Sequence, residues 1–124
     1  MRQHLATPAH KTSEPRLLLG DEAVALAALD AGISAAYAYP GTPSTEILEF
    51  LKRAGDGGPK AAWCSNEKTA YETALGVSMA GRRSLVAMKH VGLNVAADPF
   101  VNSALVGIRG GLVLAVADDP GMHS

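Results

Sequence analysis

Four things are scarce in this chain of 124 residues, and each scarcity excludes something. Cysteine occurs once, at Cys64, so no disulfide can close within the chain and its cysteines cannot hold an iron–sulfur cluster alone. Excess positive charge is missing. Eleven Lys and Arg stand against 12 Asp and Glu, a net charge of -1, and the basic face that nucleic-acid binding requires is not there. Aromatic residues make up only 5%, while Ala, Val and Leu dominate beside 13 glycines. Small aliphatic side chains suit helices packed closely on a sheet better than a sandwich or barrel. Long apolar runs are also lacking, and none approaches the ~20 residues of a membrane span.

What is present is enough apolar residue, 48%, for one domain with one core. Residues 1–15, MRQHLATPAHKTSEP, have no apolar stretch of the secretory kind and less arginine than a transit peptide carries. They are expected to form a loose leader, with a single domain over 16–124 and a cytoplasmic setting. His4 and His10 fall in that leader and receive no role.

From Leu17 onward the pattern alternates helix and short apolar strand. Asp21 is positioned to cap a helix whose apolar face includes Val24, Ala27 and Leu29, and Gly32 can end it in the left-handed conformation. Ile33 to Tyr39 reads as a strand. Thr42 is then a candidate N-cap with Pro43 in the first helical position, followed by the stripe Ile47, Leu48, Leu51, Ala54. Ala61 to Cys64 is a second strand, and Ser65-Asn66-Glu67 opens a helix bearing Ala70, Tyr71, Ala74, Leu75, Ser78 and Met79. Ser84 to Met88 is a third strand. A helical stretch from about Leu93 to Gly107 must accommodate Pro99, by a kink or by starting a second helix. Gly111 to Ala117 is nearly unbroken apolar sequence, as in a parallel strand buried on both faces. Strands separated by helices imply an α/β fold, an open parallel sheet with flanking helices.

Ligands of such sheets bind beyond the carboxyl ends of the strands. The four strand exits, residues 39–46, 64–72, 88–94 and 117–124, hold most of the glycine and polar residues. Thr42 heads a helix start that could favour an anion, or it simply caps the helix. Glu67 follows a strand directly and sits in a first helical turn. Its carboxylate could accept a proton-bearing ligand nitrogen, or merely complement the helix dipole. Lys68 and Glu72 read as a solvated i,i+4 pair. Lys89 and His90 leave the third strand together and could bind a carboxylate or transfer a proton; a structural strand-end histidine fits equally well. His123 lies close to a Pro-Gly turn and reads as a loop residue. Gly55-Asp56-Gly57 has the letters that begin a diphosphate–magnesium site in thiamine enzymes, but it follows a helix and reads as a turn. No G-x-G-x-x-G or P-loop spacing follows any strand.

Five ordered segments, LLLGDEAVALAALDAG, YPGTPSTEI, NEKTAYETALGVSMAG, MKHVGLNVAADPF and GGLVLAVADDPGMHS, together resemble the alpha subunits of indolepyruvate ferredoxin oxidoreductases. These belong to the thiamine-diphosphate-dependent 2-oxoacid:ferredoxin oxidoreductases, and the resemblance covers residues 17–124. It implies a pyrimidine-binding thiamine diphosphate domain. In the family an acidic residue bonds the aminopyrimidine ring of the cofactor, and that residue falls on Glu67. A carboxylate there favours the imino tautomer, whose exocyclic nitrogen can take the thiazolium C2 proton. Gly41 and Thr42 fall where related enzymes approach the cofactor. Lys89, His90 and Asn94 become substrate-side candidates.

The same resemblance implies oxidative decarboxylation of aryl 2-oxoacids to acyl-CoA, with electrons passing to ferredoxin. Such subunits continue past the DDPGMHS segment into a diphosphate-binding domain and a cysteine-rich ferredoxin-like tail. The expectation is therefore an N-terminal, truncated part of a subunit, inactive alone. Mg2+ and 4Fe-4S clusters are expected only in the remainder, and the partners would be those domains, a beta subunit, ferredoxin and coenzyme A. Alternatives are a pyruvate or other 2-oxoacid oxidoreductase, or a non-catalytic α/β interaction module derived from one. The strand Gly111 to Ala117 is expected at or near a sheet edge, where exposed apolar residues invite aggregation.

Overall fold

Four short strands pair side by side in one direction, each separated from the next by helix. In the computed structural model, which describes residues 15–121, the order along the chain is α1 (Gly20–Asp30), β1 (Ala35–Ala38), α2 (Thr45–Lys52), β2 (Lys60–Trp63), α3 (Glu67–Met79), β3 (Ser84–Lys89), α4 (His90–Val95), α5 (Ala97–Val106) and β4 (Leu112–Ala117). The sheet is wholly parallel, in the order β2-β1-β3-β4. The α/β expectation holds. The leader up to residue 14, with His4 and His10, and His123 lie outside the described residues.

Alternation along the strands divides the core into two layers. Ala36, Ala38, Leu85 and Ala87 face one side, where they meet Ala25 and Ala28 of α1 and Ile47, Leu48 and Leu51 of α2. Ala35, Tyr37, Val86 and Met88 face the other and meet Ala70, Tyr71 and Ala74 of α3, with Ala96 between α4 and α5. Alanine on both faces of β1, one of the two central strands, lets helices approach closely; apart from Tyr37, the large side chains of the buried core come from the helices and from β3. Tyr71 extends this second layer to α5, its hydroxyl 2.8 Å from Ser103 Oγ and its ring edge-on to Phe100 at 6.0 Å.

Several local expectations shift. Asp21 lies inside the first turn of α1 and is not its cap; Leu19 precedes the helix, and its N–H donates to the Glu22 carboxylate at 3.1 Å. The buried residues of α1 are Ala25 and Ala28, with Leu29 partly buried beside them as expected, while Val24 and Ala27 are exposed. α2 begins at Thr45 with Ser44, not Thr42, at its N-cap, and the Thr42–Pro43 bond is cis. The helical stretch after β3 starts at His90, earlier than Leu93, and breaks at Ala96. Pro99 then stands in the first turn of α5, where its missing N–H leaves no helical bond unmade. Lys68 reaches Asp98 at 2.9 Å and Glu72 only at 4.0 Å, so its main partner is on α5. Gly55-Asp56-Gly57 is a turn, as expected, with φ of 67° and 93° at its two glycines.

β4 departs most. It is an edge strand, as anticipated, and so it is not buried on both faces: Val113 is 58% exposed. Beside it Val24, Ala27, Ile33 and Leu85 line an open apolar hollow. On the opposite side of the sheet Val101, Leu105 and Val106 of α5 are exposed as well. No helix among the described residues is long and apolar enough to cross a membrane.

Candidate functional site

The topology marks one crevice. The chain leaves β1 through α2, on the first layer, to reach β2; it leaves β3 through α4 and α5, on the second layer, to reach β4. β1 and β3 are neighbours, so their exits diverge to opposite faces of the sheet. That divergence opens a cleft beyond their carboxyl ends, where ligands of open parallel sheets bind.

The β1 exit supplies Gly41 and Thr42. Its backbone is knitted by Ser44, which is 1% exposed: the Ser44 hydroxyl and N–H both donate to the Gly41 carbonyl, at 2.8 and 2.9 Å. Gly41 N–H donates in turn to Thr45 Oγ1 at 3.0 Å. The loop passes against the end of β3, where a Cβ on Gly41 would lie 3.2 Å from Lys89 Cβ. Thr42 is exposed and opens onto a hollow with Leu19, Gly20, Asp21, Pro43 and Glu46. Burial and the adjacent Glu46 carboxylate push the Asp21 carboxyl above its ordinary value.

Glu67 is the first residue of α3, behind Asn66, whose side chain caps the helix by accepting the Thr69 N–H at 2.8 Å. Its side chain is half-buried and crosses to α4, where it lies over Gly92. Among the described residues no hydrogen bond or ion pair engages its carboxylate. The next residue contrasts with it. Lys68 is bound to Asp98, which lifts the lysine above its ordinary value and draws the aspartate below its own.

Lys89 closes β3 with its side chain 10% exposed and its Nζ 3.2 Å from Asp119 on the β4 exit. His90 begins α4 and lines a small hollow with Asp118, Asp119 and Pro120. Asn94 is exposed, one turn along α4 from His90. Burial pushes the Cys64 thiol up, away from a reactive thiolate. No group of three His, Cys, Asp or Glu able to hold a metal occurs among the described residues.

The structure thus gathers Gly41, Lys89 and Asp119 in one chain of contacts, and Glu67 with Gly92 in another. Thr42 turns toward the start of α1. Reasoning from sequence missed Ser44, Gly92 and Asp119. Ser44 carried a signal, since serine is as common as threonine at the residue before a helix, although its hydroxyl bonds Gly41 and not the helix N–H groups; Gly92 and Asp119 act through partners distant in sequence and carried none.

An open parallel sheet with its polar rim at a switch point defines an α/β domain built to hold a small ligand at its carboxyl edge. Residues 26–117 match the family described as pyruvate flavodoxin/ferredoxin oxidoreductase, thiamine diphosphate-binding, and the chain belongs to that family. Its curated relatives include the indolepyruvate oxidoreductase subunit IorA of Archaeoglobus fulgidus, 52% identical over 116 residues, which cover 90% of this chain and 19% of the relative. The subunit of the same name from Thermococcus kodakarensis is 50% identical over 115 residues, and that from Methanothermobacter thermautotrophicus 48% over 111. In each of these two the match covers 18% of the relative, so the chain spans about a fifth of the length of the relatives it matches. Among solved structures, a 2-oxoglutarate:ferredoxin oxidoreductase from Magnetococcus marinus shares the fold with a TM-score of 0.77 at 23% identity, over 86% of this chain and 18% of that one.

Proposed function

We propose that this chain forms the pyrimidine-side wall of a thiamine diphosphate site in an indolepyruvate (arylpyruvate):ferredoxin oxidoreductase. The observation that carries this reading is Glu67: a half-buried carboxylate at the carboxyl rim of the sheet, engaged by no other described side chain and held against α4. Such an acceptor fits a heterocycle with a proton on a ring nitrogen. The family's thiamine diphosphate-binding description and the names of the relatives supply the cofactor and the substrate class.

Bound there, thiamine diphosphate supplies the carbon nucleophile and electron sink that decarboxylation of a 2-oxoacid requires. The residues of this chain hold and orient. Glu67 holds a proton at the ring nitrogen through its carboxylate oxygens. Gly41 and Thr42 border the cofactor from the β1 exit, the tight Gly41–Ser44 bonding keeping that backbone in place. Lys89, His90 and Asn94 border the substrate, with Lys89 offering a positive charge whose position Asp119 fixes. Mg2+, the 4Fe-4S clusters, and contacts with ferredoxin, coenzyme A and a beta subunit belong in this reading to other parts of a cytoplasmic complex. The single cysteine accords with clusters held elsewhere.

The test uses the complete oxidoreductase that carries this chain. Glu67→Gln keeps shape and removes the charge, and is expected to slow exchange of the cofactor C2 proton by on the order of 10²–10⁴-fold. Exchange at the unsubstituted rate would overturn the role of Glu67. Turnover on indolepyruvate and phenylpyruvate, with little on pyruvate, is the expected substrate ranking; preference for pyruvate would favour the other 2-oxoacid reading. A complex without turnover on any 2-oxoacid would favour an interaction module.

A further inference from the structure

We infer that Gly92 is a positioning residue for Glu67: its missing side chain is the space in which the Glu67 carboxyl group sits. The inference rests on the proposed role of Glu67 and concerns how that carboxylate is aimed.

A Cβ placed on Gly92 would lie 2.6 Å from Glu67 Cγ, 2.7 Å from Oε1 and 2.9 Å from Cδ. Carbon–carbon contacts settle at about 3.5–4.0 Å, so the overlap is close to a full ångström. The three nearest atoms all belong to one side chain. No backbone, strand or second helix is among them. Other close-packed glycines differ: Gly110 meets the backbone of Arg82 and Gly58 meets Ala54, so glycine there serves the fold.

Backbone geometry gives no other reason for glycine at 92. It lies inside α4, is not among the positive-φ glycines, and is buried where alanine is the better helix former. Glu67 cannot be pressed closer by a neighbour of any larger kind, because the α4 backbone itself is the floor beneath it. An alanine would leave α4 intact and push the carboxyl group off that floor, since the obstructing atoms are the outer part of a flexible side chain. Glu67 enters from α3 and Gly92 from α4, two elements that begin at different strands, so the pair fixes the carboxylate relative to both.

The consequence is separable from folding. Misplacing a reacting group by about an ångström costs on the order of 100-fold in rate. The test is a double-mutant cycle in the complete oxidoreductase with Gly92→Ala, Glu67→Ala and the pair. In the cofactor-free protein, thermal unfolding reads the contact itself. Gly92→Ala is expected to raise the melting temperature in the Glu67→Ala background by more than it does in the unsubstituted protein. With thiamine diphosphate, Gly92→Ala alone is expected to slow C2 proton exchange by on the order of 100-fold and to add nothing to Glu67→Ala. Equal melting shifts in both backgrounds, or a loss of exchange that multiplies with that of Glu67→Ala, would overturn the positioning role. So would unsubstituted exchange in Gly92→Ala beside impaired exchange in Glu67→Ala, which leaves the role of Glu67 standing. Undiminished exchange in Glu67→Ala would remove that role, and the positioning role with it.

Discussion

Replacing Gly110 with alanine should unfasten the edge of the sheet. Gly110 lies just before β4, where the chain crosses the connection between α3 and β3. A Cβ there would collide with the carbonyl oxygen of Arg82 and lie 2.6 Å from its carbonyl carbon. Unlike a side chain, that backbone cannot swing aside, so β4's lead-in must retreat by about an ångström to reach an ordinary contact distance. Two hydrogen bonds break with the retreat: Gly110 N–H to the Ser78 carbonyl at 2.8 Å, and the Ser78 hydroxyl to the Gly110 carbonyl. At about 1 kcal/mol for each bond, with about 1–3 kcal/mol of overpacking, the loss comes to roughly 3–5 kcal/mol. Calorimetry should then show this domain melting lower by about 10 °C or more. Gly76→Ala is the matched control. It lies on the exposed side of α3 with nothing within 4 Å of the new Cβ, so helix propensity alone predicts a gain of about 0.8–1 kcal/mol. If Gly110→Ala melts with the unsubstituted protein while Gly76→Ala is stabilised, the crossing is not the constraint described.

Asn66→Ala removes the cap of α3 and should cost about 1 kcal/mol in denaturant unfolding; because Glu67 is the next residue, affinity for thiamine diphosphate measured by calorimetry should fall with it. An unchanged affinity would show that Glu67 does not depend on the first turn. Asp21 gives a pH dependence. Its carboxyl is raised above the ordinary 3.8 by burial and by Glu46, so the folded state holds this proton more tightly than the unfolded chain. Stability is therefore lost as pH rises from about 3.8 through the raised value. The melting temperature of Asp21→Asn minus that of the unsubstituted protein should grow between about pH 3 and pH 6 and then level off; a difference that shrinks would reverse the assigned sign.

Much of the architecture was legible because burial and periodicity agree in the strands. Ser84 to Met88 has no charged residue, and β3 is buried throughout. The ends of helices were harder. Thr42-Pro43 and Ser44-Thr45 both offer a hydroxyl before a helix, and the choice falls to Ser44 because its side chain can reach back to Gly41 in a buried turn. α1 misled by composition: in a run of alanine, valine and leucine every face is apolar, so periodicity cannot say which one is covered. β4 misled differently, since an apolar run reports what each residue tolerates and not how many neighbours the strand has. Glu67 stood out as a carboxylate following a buried strand. Its seat on Gly92 did not, because that contact joins two elements whose approach only the folded sheet determines.

Lys89 touches more of the rim than any role in substrate binding would require. It ends β3, begins the turn into α4, lies against Gly41 of the β1 exit and holds Asp119 of the β4 exit. Three exits, whose strands are already paired in the sheet, thereby meet at one residue. Loosening at the outermost strand therefore reaches the Gly41 loop by two routes, the β3–β4 ladder and the Lys89 side chain, whose ammonium meets Asp119 and whose Cβ lies against Gly41. The β2 exit and the start of α3 are held instead by the Asn66 cap and by the ion pair of Lys68 with Asp98 on α5.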